Sequence, residues 1–418
     1  MKLVFWHWFF LFFVLVSTSQ GMSSDGLALL ALSKSLVLPS SIRSNWSASD
    51  ATPCAWNGVG CNGRNRVISL DLSSSEVEGF IGPEIGRLKY LQILILSGNN
   101  ISGLIPPELG NCSMLEQLDL SQNLLSGSIP ASMGNLKKSS ALSLYYNSFN
   151  GTIPEELFKN QFLEQVYLNG NQLSGSIPFS VGEMTSLKAL WVHENMLSGV
   201  LPSSIGNCTK LEELYLLDNQ LSGSLPETLS EIKGLKFFDA TNNSFTGEIP
   251  FSFEKNCKLE IFILSFNYIK GEIPSWLGNC RSLQQLGFVN NSLSGKIPNS
   301  IGLLSNLTYL LLSQNSLSGP IPPEISNCRL LQWLELDANQ LEGTVPEFGN
   351  LVNLKRLDLS HNILHGSIPP NICSRKTLRY LNLESNRLNG SIPHDLVLEC
   401  QSLERLILRD NNLSGSIM

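Results

Sequence analysis

Leucines in this chain return at a fixed interval. The stretch "LEELYLLDNQLSGSLP", residues 211–226, and the stretch "LERLILRDNNLSGSI", residues 403–417, share the frame L-x-x-L-x-L-x-x-N-x-L-S-G-x-I-P. The asparagine of that frame recurs at 99, 123, 147, 171, 195, 219, 243, 267, 291, 315, 339, 362, 386 and 411, a step of 24 until the last intervals of 23, 24 and 25. Inside each unit the segment x-L-x-L-x alternates apolar and polar with period two, which predicts a short strand with one buried face. The asparagine ends the strand, and its amide is suited to bond backbone groups of adjacent turns in a ladder. Glycine after Leu-Ser permits a tight turn. Proline, lacking an N–H, fits the return path. No unit buries its own leucines, so the units must stack and share one core. With a degenerate first copy, "VISLDLSSSEVEGFIG", carrying Ser75 in the asparagine slot, the frame predicts about fifteen units in one elongated domain.

If the leucines of x-L-x-L-x point inward, the residues between them point to the opposite, concave surface and have no packing duty. Following those positions gives Tyr145 and Tyr146, then Tyr167, then Trp191, His193 and Glu194. Glu213, Tyr215, Leu217 and Asp218 come next, then Phe237 and Asp239, then Ile261, Ile263 and Phe266. Parallel strands lie ~4.8 Å apart, so these side chains are expected to form one aromatic and acidic lane. Exposed aromatics beside charged groups are the material of peptide-binding hot spots, and the acids favour a ligand containing Lys or Arg. Further along, Arg405 and Arg409 are spaced to emerge on the same side, with Arg356 two units earlier. Guanidinium groups bind carboxylates through paired hydrogen bonds, so these arginines are candidates to hold a peptide's C-terminal carboxylate. Eleven strand steps separate the strand of Tyr145 from that of Arg409, about 53 Å, which an extended peptide of roughly sixteen residues would cover.

The formal charge of −7 gives no reason to expect nucleic-acid binding. The remaining histidines, at 7, 361, 365 and 394, do not gather around His193, so no metal site is expected, and no cofactor. No base or nucleophile is supported by neighbours, and no kinase signature is present, so the chain is expected not to be an enzyme. Met1-Lys2 followed by the apolar run Leu3–Val16 and "STSQG" reads as a signal peptide over residues 1–21. Residues 22–66 precede the repeats, which run over 67–418 and stop in mid-unit at "NNLSGSIM", the pattern of a C-terminally truncated array. Export gives meaning to the Asn-x-Ser/Thr sequons at Asn45, Asn100, Asn111, Asn150, Asn207, Asn242, Asn290, Asn306, Asn389 and Asn412, some of which are expected to carry glycan. Among nine cysteines, Cys54 and Cys61 are close enough to staple the pre-repeat segment. Cys112, Cys208, Cys280, Cys328 and Cys400 share a slot ahead of a unit's first leucine, and Cys257 is grouped with them. That slot suggests a small buried hydrophobe. Cys373 breaks it and is a possible partner for Cys400.

The motif N-x-L-S-G-x-I-P at this spacing resembles the plant-specific class of leucine-rich repeat. The resemblance implies a leucine-rich-repeat solenoid of the α/β class, a right-handed superhelix with a concave parallel β-sheet. It would hold about fifteen 24-residue repeats behind an N-terminal cap. The segment "DGLALLALSKSL…NWSASDATPCAWNGVGC" resembles the cap of plant leucine-rich-repeat receptor-like kinases. More narrowly, "SDGLALL…NWSASDATPC", "GPEIGRLKYLQIL" and "LERLILRDNNLSG" look like the receptors for plant elicitor peptides. That likeness implies an extended basic peptide along the inner surface, with Arg409 matching the position that meets its carboxylate. It also implies a longer parent at the plasma membrane, with one membrane helix, a cytoplasmic Ser/Thr kinase and a shorter leucine-rich-repeat co-receptor kinase as partner. The alternative within the same repeat class is a secreted or membrane-tethered receptor-like protein, or a polygalacturonase-inhibitor-like protein, without kinase.

Overall fold

A computed structural model describes residues 21–253, 257–373, 377–398 and 400–415; the signal peptide expected over residues 1–21 falls almost entirely outside them. Every x-L-x-L-x segment is a short strand, and these strands join into one sheet of sixteen. The first of them, Val59–Cys61, runs antiparallel and belongs to the segment before the repeats, so fifteen parallel strands remain among the described residues. Two leucine-type side chains per strand point into the core, as Leu190 and Val192 do at full burial. The residues between them, such as Trp191 and His193, line the opposite face.

The asparagine ladder is present throughout. Asn195 accepts the Leu173 N–H of the preceding unit at 2.9 Å and donates to that unit's Leu168 carbonyl at 3.0 Å. It also donates to its own unit at the carbonyls of Val192 and His193. A buried polar side chain is tolerated here because each of its hydrogen-bonding groups is matched.

A second parallel sheet was not anticipated from the sequence. Twelve segments at the N-x-L-S-G position pair unit to unit and, with Leu36–Val37 of the N-terminal segment antiparallel at one edge, form a sheet of thirteen strands; a further three strands lie toward the C-terminus. Most contribute a single buried residue, as in Gln172–Gly175, so the alternation within one unit is too short to announce a strand. Glycine ends these strands with positive φ: a Cβ on Gly223, at φ 75°, would stand 2.8 Å from Val200 Cγ1 of the unit before. Short 3-10 helices such as Ser203–Asn207 complete each turn. They stack so closely that a Cβ on Gly206 would lie 2.5 Å from the Thr228 carbonyl of the next.

The N-terminal segment closes the core at its first strand. Helix Ser24–Leu32 buries Asp25, which accepts bonds from Arg66 Nε at 3.0 Å, Arg66 Nη2 at 2.8 Å and the Val67 N–H at 2.9 Å. Trp46 and Trp56 stack at 5.0 Å, and Cys54 and Cys61 form the expected disulfide.

Three cysteines match the expectation of a small buried hydrophobe. Cys112, Cys208 and Cys328 are free and buried, and burial pushes the Cys208 thiol up to about 12. Cys257 and Cys280 correct it: they are bonded to each other. Cys257 stands two residues before Leu259 rather than three, because its unit departs from the frame at "FSFEKNC". That stretch carries Phe251 and Phe253, which pack on Trp276, and the disulfide fastens it to the next turn. Cys400 is disulfide-bonded, while the side chain of Cys373 lies outside the described residues. Nine sequon asparagines are exposed; Asn45 is half-buried, and its amide binds the Ala55 carbonyl at 2.9 Å and Asn57 at 3.2 Å.

Candidate functional site

Strand register decides which lane residues meet. Tyr167 sits opposite Trp191, and Trp191 opposite Tyr215, in three successive strands. Their rings make edge-to-face contacts at 4.8 Å and 5.3 Å. His193, two residues along, completes the group with its ring 5.9 Å from Trp191 and 6.0 Å from Tyr215. The Trp191 indole donates to Glu213 at 2.9 Å, which fixes the orientation of the ring. Asp239 lies opposite Tyr215 in the next strand and accepts from the Thr241 hydroxyl and N–H.

The electrostatics follow from partial burial. Burial raises the Tyr215 phenol above its usual range, and Glu213 and Asp239 add to the rise. Tyr167 is raised by burial and by Glu213. Burial also raises the Asp239 carboxyl, against the two hydrogen bonds from Thr241. His193 is lowered by burial despite the opposing charges of Glu194, Asp239 and Asp218, and its Nδ1 is buried without a hydrogen-bond partner.

Four of the expected lane residues sit at its edge. Tyr146, Glu194, Asp218 and Phe266 occupy the position just before the ladder asparagine, where φ is 49°, 53°, 54° and 56°. That left-handed position recurs from unit to unit and turns the chain off the strand, so these residues rim the lane instead of paving it. Such a conformation costs ~1–2 kcal/mol for a residue other than glycine. The Tyr146 ring folds over Gly170, the same position of the next unit, where a Cβ would lie 2.2 Å from Tyr146 Cδ1. Tyr145 pairs with Tyr146 at 5.5 Å as a separate couple. Phe237 lies between Glu213 and Ile261 in register, and no ring contact joins it to the Trp191 group among the described residues.

The arginines are nine strands from Trp191, about 43 Å at ~4.8 Å per step. Arg405 and Arg409 do share the same face, but Arg409 is already engaged: its Nε and Nη2 both reach Glu384 Oε1, at 2.7 Å and 2.5 Å. Arg405 makes no ion pair among the described residues and stands 5.7 Å over the Tyr380 ring. Sequence reasoning missed the cluster beside it. Tyr309 and Trp333 meet edge to face at 5.5 Å, and Arg356 lies 3.8 Å over Tyr380 while paired to Glu335 and Asp358. Tyr309, Trp333, Arg356, Tyr380 and Arg405 are consecutive in register, so extending the lane beyond Ile263 would have found them.

A two-sheeted solenoid built from a leucine-and-asparagine frame defines a class of repeat protein, and comparison with known proteins agrees. Residues 22–62 match the family profile described as leucine rich repeat N-terminal domain. Residues 90–112, 114–136, 162–184, 186–208, 210–232, 258–280, 306–328, 353–374 and 377–397 match the Leucine Rich Repeat profile. The chain belongs to the leucine-rich-repeat family. Within it, the chain is similar to the leucine-rich repeat receptor-like protein kinase PEPR1 of Arabidopsis thaliana, with 49% identity over 74 residues. That alignment takes in 17% of this chain and 7% of that protein. The crystal structure of PEPR1–AtPEP1 matches at TM-score 0.77 and 40% identity over 93% of this chain and 66% of that one. The Arabidopsis receptor kinase HAESA, solved with the peptide hormone IDA and the co-receptor SERK1, matches at TM-score 0.56 and 31% identity over 94% of this chain and 82% of that one. The chain therefore spans a small part of the full curated relatives and about two thirds of the PEPR1 structure. It resembles ligand-binding ectodomains, not a catalytic domain, and no described helix is long and apolar enough to cross a membrane.

Proposed function

We propose that this chain is the ligand-binding region of a plant receptor-like kinase and senses a linear, partly basic peptide along its long sheet, in defence or developmental signalling. The observation that carries the reading is the Tyr167–Trp191–Tyr215 group, three half-exposed aromatics in contact on a face that no other element covers. The core does not need them, since the leucines of the same strands are fully buried without them. Two solved relatives hold peptides, AtPEP1 in one and IDA in the other. By the same likeness the parent protein carries a cytoplasmic Ser/Thr kinase behind a single membrane helix and recruits a leucine-rich-repeat co-receptor kinase. Residues 1–21 act as its signal peptide, and the exposed sequons are its glycosylation sites.

The ligand's C-terminal carboxylate is assigned to Arg405, which has no ion pair among the described residues, with Arg409 as a second donor beyond its bond to Glu384. Calorimetric titration with AtPEP1 tests both parts. Binding is expected, and both amidation of the peptide and the Arg405→Ala substitution should weaken it. If neither AtPEP1 nor IDA binds, the peptide-receptor reading fails. If Arg405→Ala costs the same with free and amidated peptide, the carboxylate assignment fails while the receptor reading stands.

A further inference from the structure

The carboxylates of the long sheet and its edges fall into two groups. Glu164, Glu212, Glu384 and Glu404 each have a basic partner within the chain, at 2.6 Å from Lys188, 2.6 Å from Lys236, 2.5 Å from Arg409 and 3.3 Å from Arg379, and Glu335 is paired to Arg356. Asp71, Asp119 and Asp337 bond to serines instead, and around Trp191 such acids gather beside aromatic rings. Glu194, Glu213, Asp218 and Asp239 have no Lys or Arg partner among the described residues. The hydrogen bonds that reach three of them are neutral: the Trp191 indole to Glu213, the Asn242 amide to Asp218 at 2.8 Å, and Thr241 to Asp239.

The chain shows twice what it does when an aromatic ring stands beside a carboxylate. Arg66 lies 4.4 Å over Tyr90 while bonded to Asp25, and Arg356 lies 3.8 Å over Tyr380 while paired to Glu335 and Asp358. In each place a guanidinium takes the ring face and the carboxylate together. Ring faces attract cations electrostatically, and partial burial beside acids strengthens that attraction. At Tyr215, with Asp239 opposite it and Asp218 at the rim, the ring and the acids are present, and among the described residues no arginine lies over the ring.

Building on the peptide-receptor reading above, we propose that the ligand supplies this missing cation: one Lys or Arg side chain seated over the Tyr215 ring, between Trp191 and the carboxylates of Asp218 and Asp239. Eight strand steps, about 38 Å, lie between this seat and Arg405, so the basic residue falls about twelve residues before the ligand's C-terminus.

The test uses the folded chain and a bead library of peptides of about twenty residues with free C-termini. Wild type is expected to select Lys or Arg at a single position about twelve residues from the end. Replacing that residue in a selected peptide by norleucine should lower affinity about tenfold. In the Asp218→Asn/Asp239→Asn double variant the same replacement should cost less than about twofold. A thermal melt checks that the double variant is folded; if it is not, Asp218→Asn alone gives the same comparison at reduced size. Selected peptides with no basic preference at any position, or an equal norleucine penalty in both proteins, overturn the proposal and leave the receptor reading intact. A library that yields no binder overturns the receptor reading itself.

Discussion

Replacing Trp191 with alanine separates recognition from folding. The ring makes edge-to-face contacts with Tyr167 at 4.8 Å and Tyr215 at 5.3 Å, and its N–H binds Glu213 at 2.9 Å. Each ring contact stabilises by ~0.5–1.5 kcal/mol, and the bond to the half-exposed carboxylate adds about 1 kcal/mol, so the folded state loses about 2–4 kcal/mol. Leu190 and Val192, fully buried on the other side of the strand, keep their packing, so the solenoid stays folded. Peptide binding loses the centre of the platform. Truncating a central tryptophan in an interface costs ~2 kcal/mol or more, about thirtyfold in affinity. Trp191→Phe retains a ring but not the donor to Glu213 and should fall between. Phe179→Ala is the control, because Phe179 is 71% exposed and begins a 3-10 helix away from the long sheet. Calorimetric titration with AtPEP1 reads affinity, and a thermal melt reads folding. An affinity for Trp191→Ala within about twofold of wild type, in a protein that still melts cooperatively, would remove the aromatic group from the mechanism.

Two further outcomes test the frame and the charge balance. Asn243→Ala strands the Leu221 N–H, now bonded at 2.9 Å, and takes one of two donors from the carbonyls of Leu216, Ala240 and Thr241, so urea unfolding should report a loss of about 1–3 kcal/mol; a loss under about 0.5 kcal/mol would refute the ladder's role. Burial holds the His193 pKa below its ordinary 6.5, so its contribution to stability is present above that pH and lost as pH falls through the lower folded value. Melts of wild type and His193→Gln should therefore diverge below 6.5, with wild type losing more; Asp239, raised by burial, titrates in both proteins, and parallel curves would contradict the burial argument.

The aromatic lane shows where reading along the chain succeeds and where it stops. Tyr167, Trp191 and Tyr215 were legible because period-two alternation assigns a face to each strand residue, and a constant 24-residue step brings equal positions side by side. The edge position of Tyr146, Glu194, Asp218 and Phe266 was not legible because alternation does not reveal a sign change in φ, at which Gly98, Gly170, Asn242 and Asn290 in the same slot only hint. The pairing of Arg409 with Glu384 was equally hidden, since the two are 25 residues apart and meet only through the register of neighbouring strands.

The sequence by itself determined the repeat, the buried leucines, the asparagine ladder and which residues face away from the core. Each of these is a local consequence of spacing within one unit. Tertiary structure decided the second sheet, the Cys257–Cys280 bond, the rim positions and which carboxylates are left without a counter-charge. All of these depend on contacts between units, where distances are set by strand register and stacking and not by neighbours in the chain.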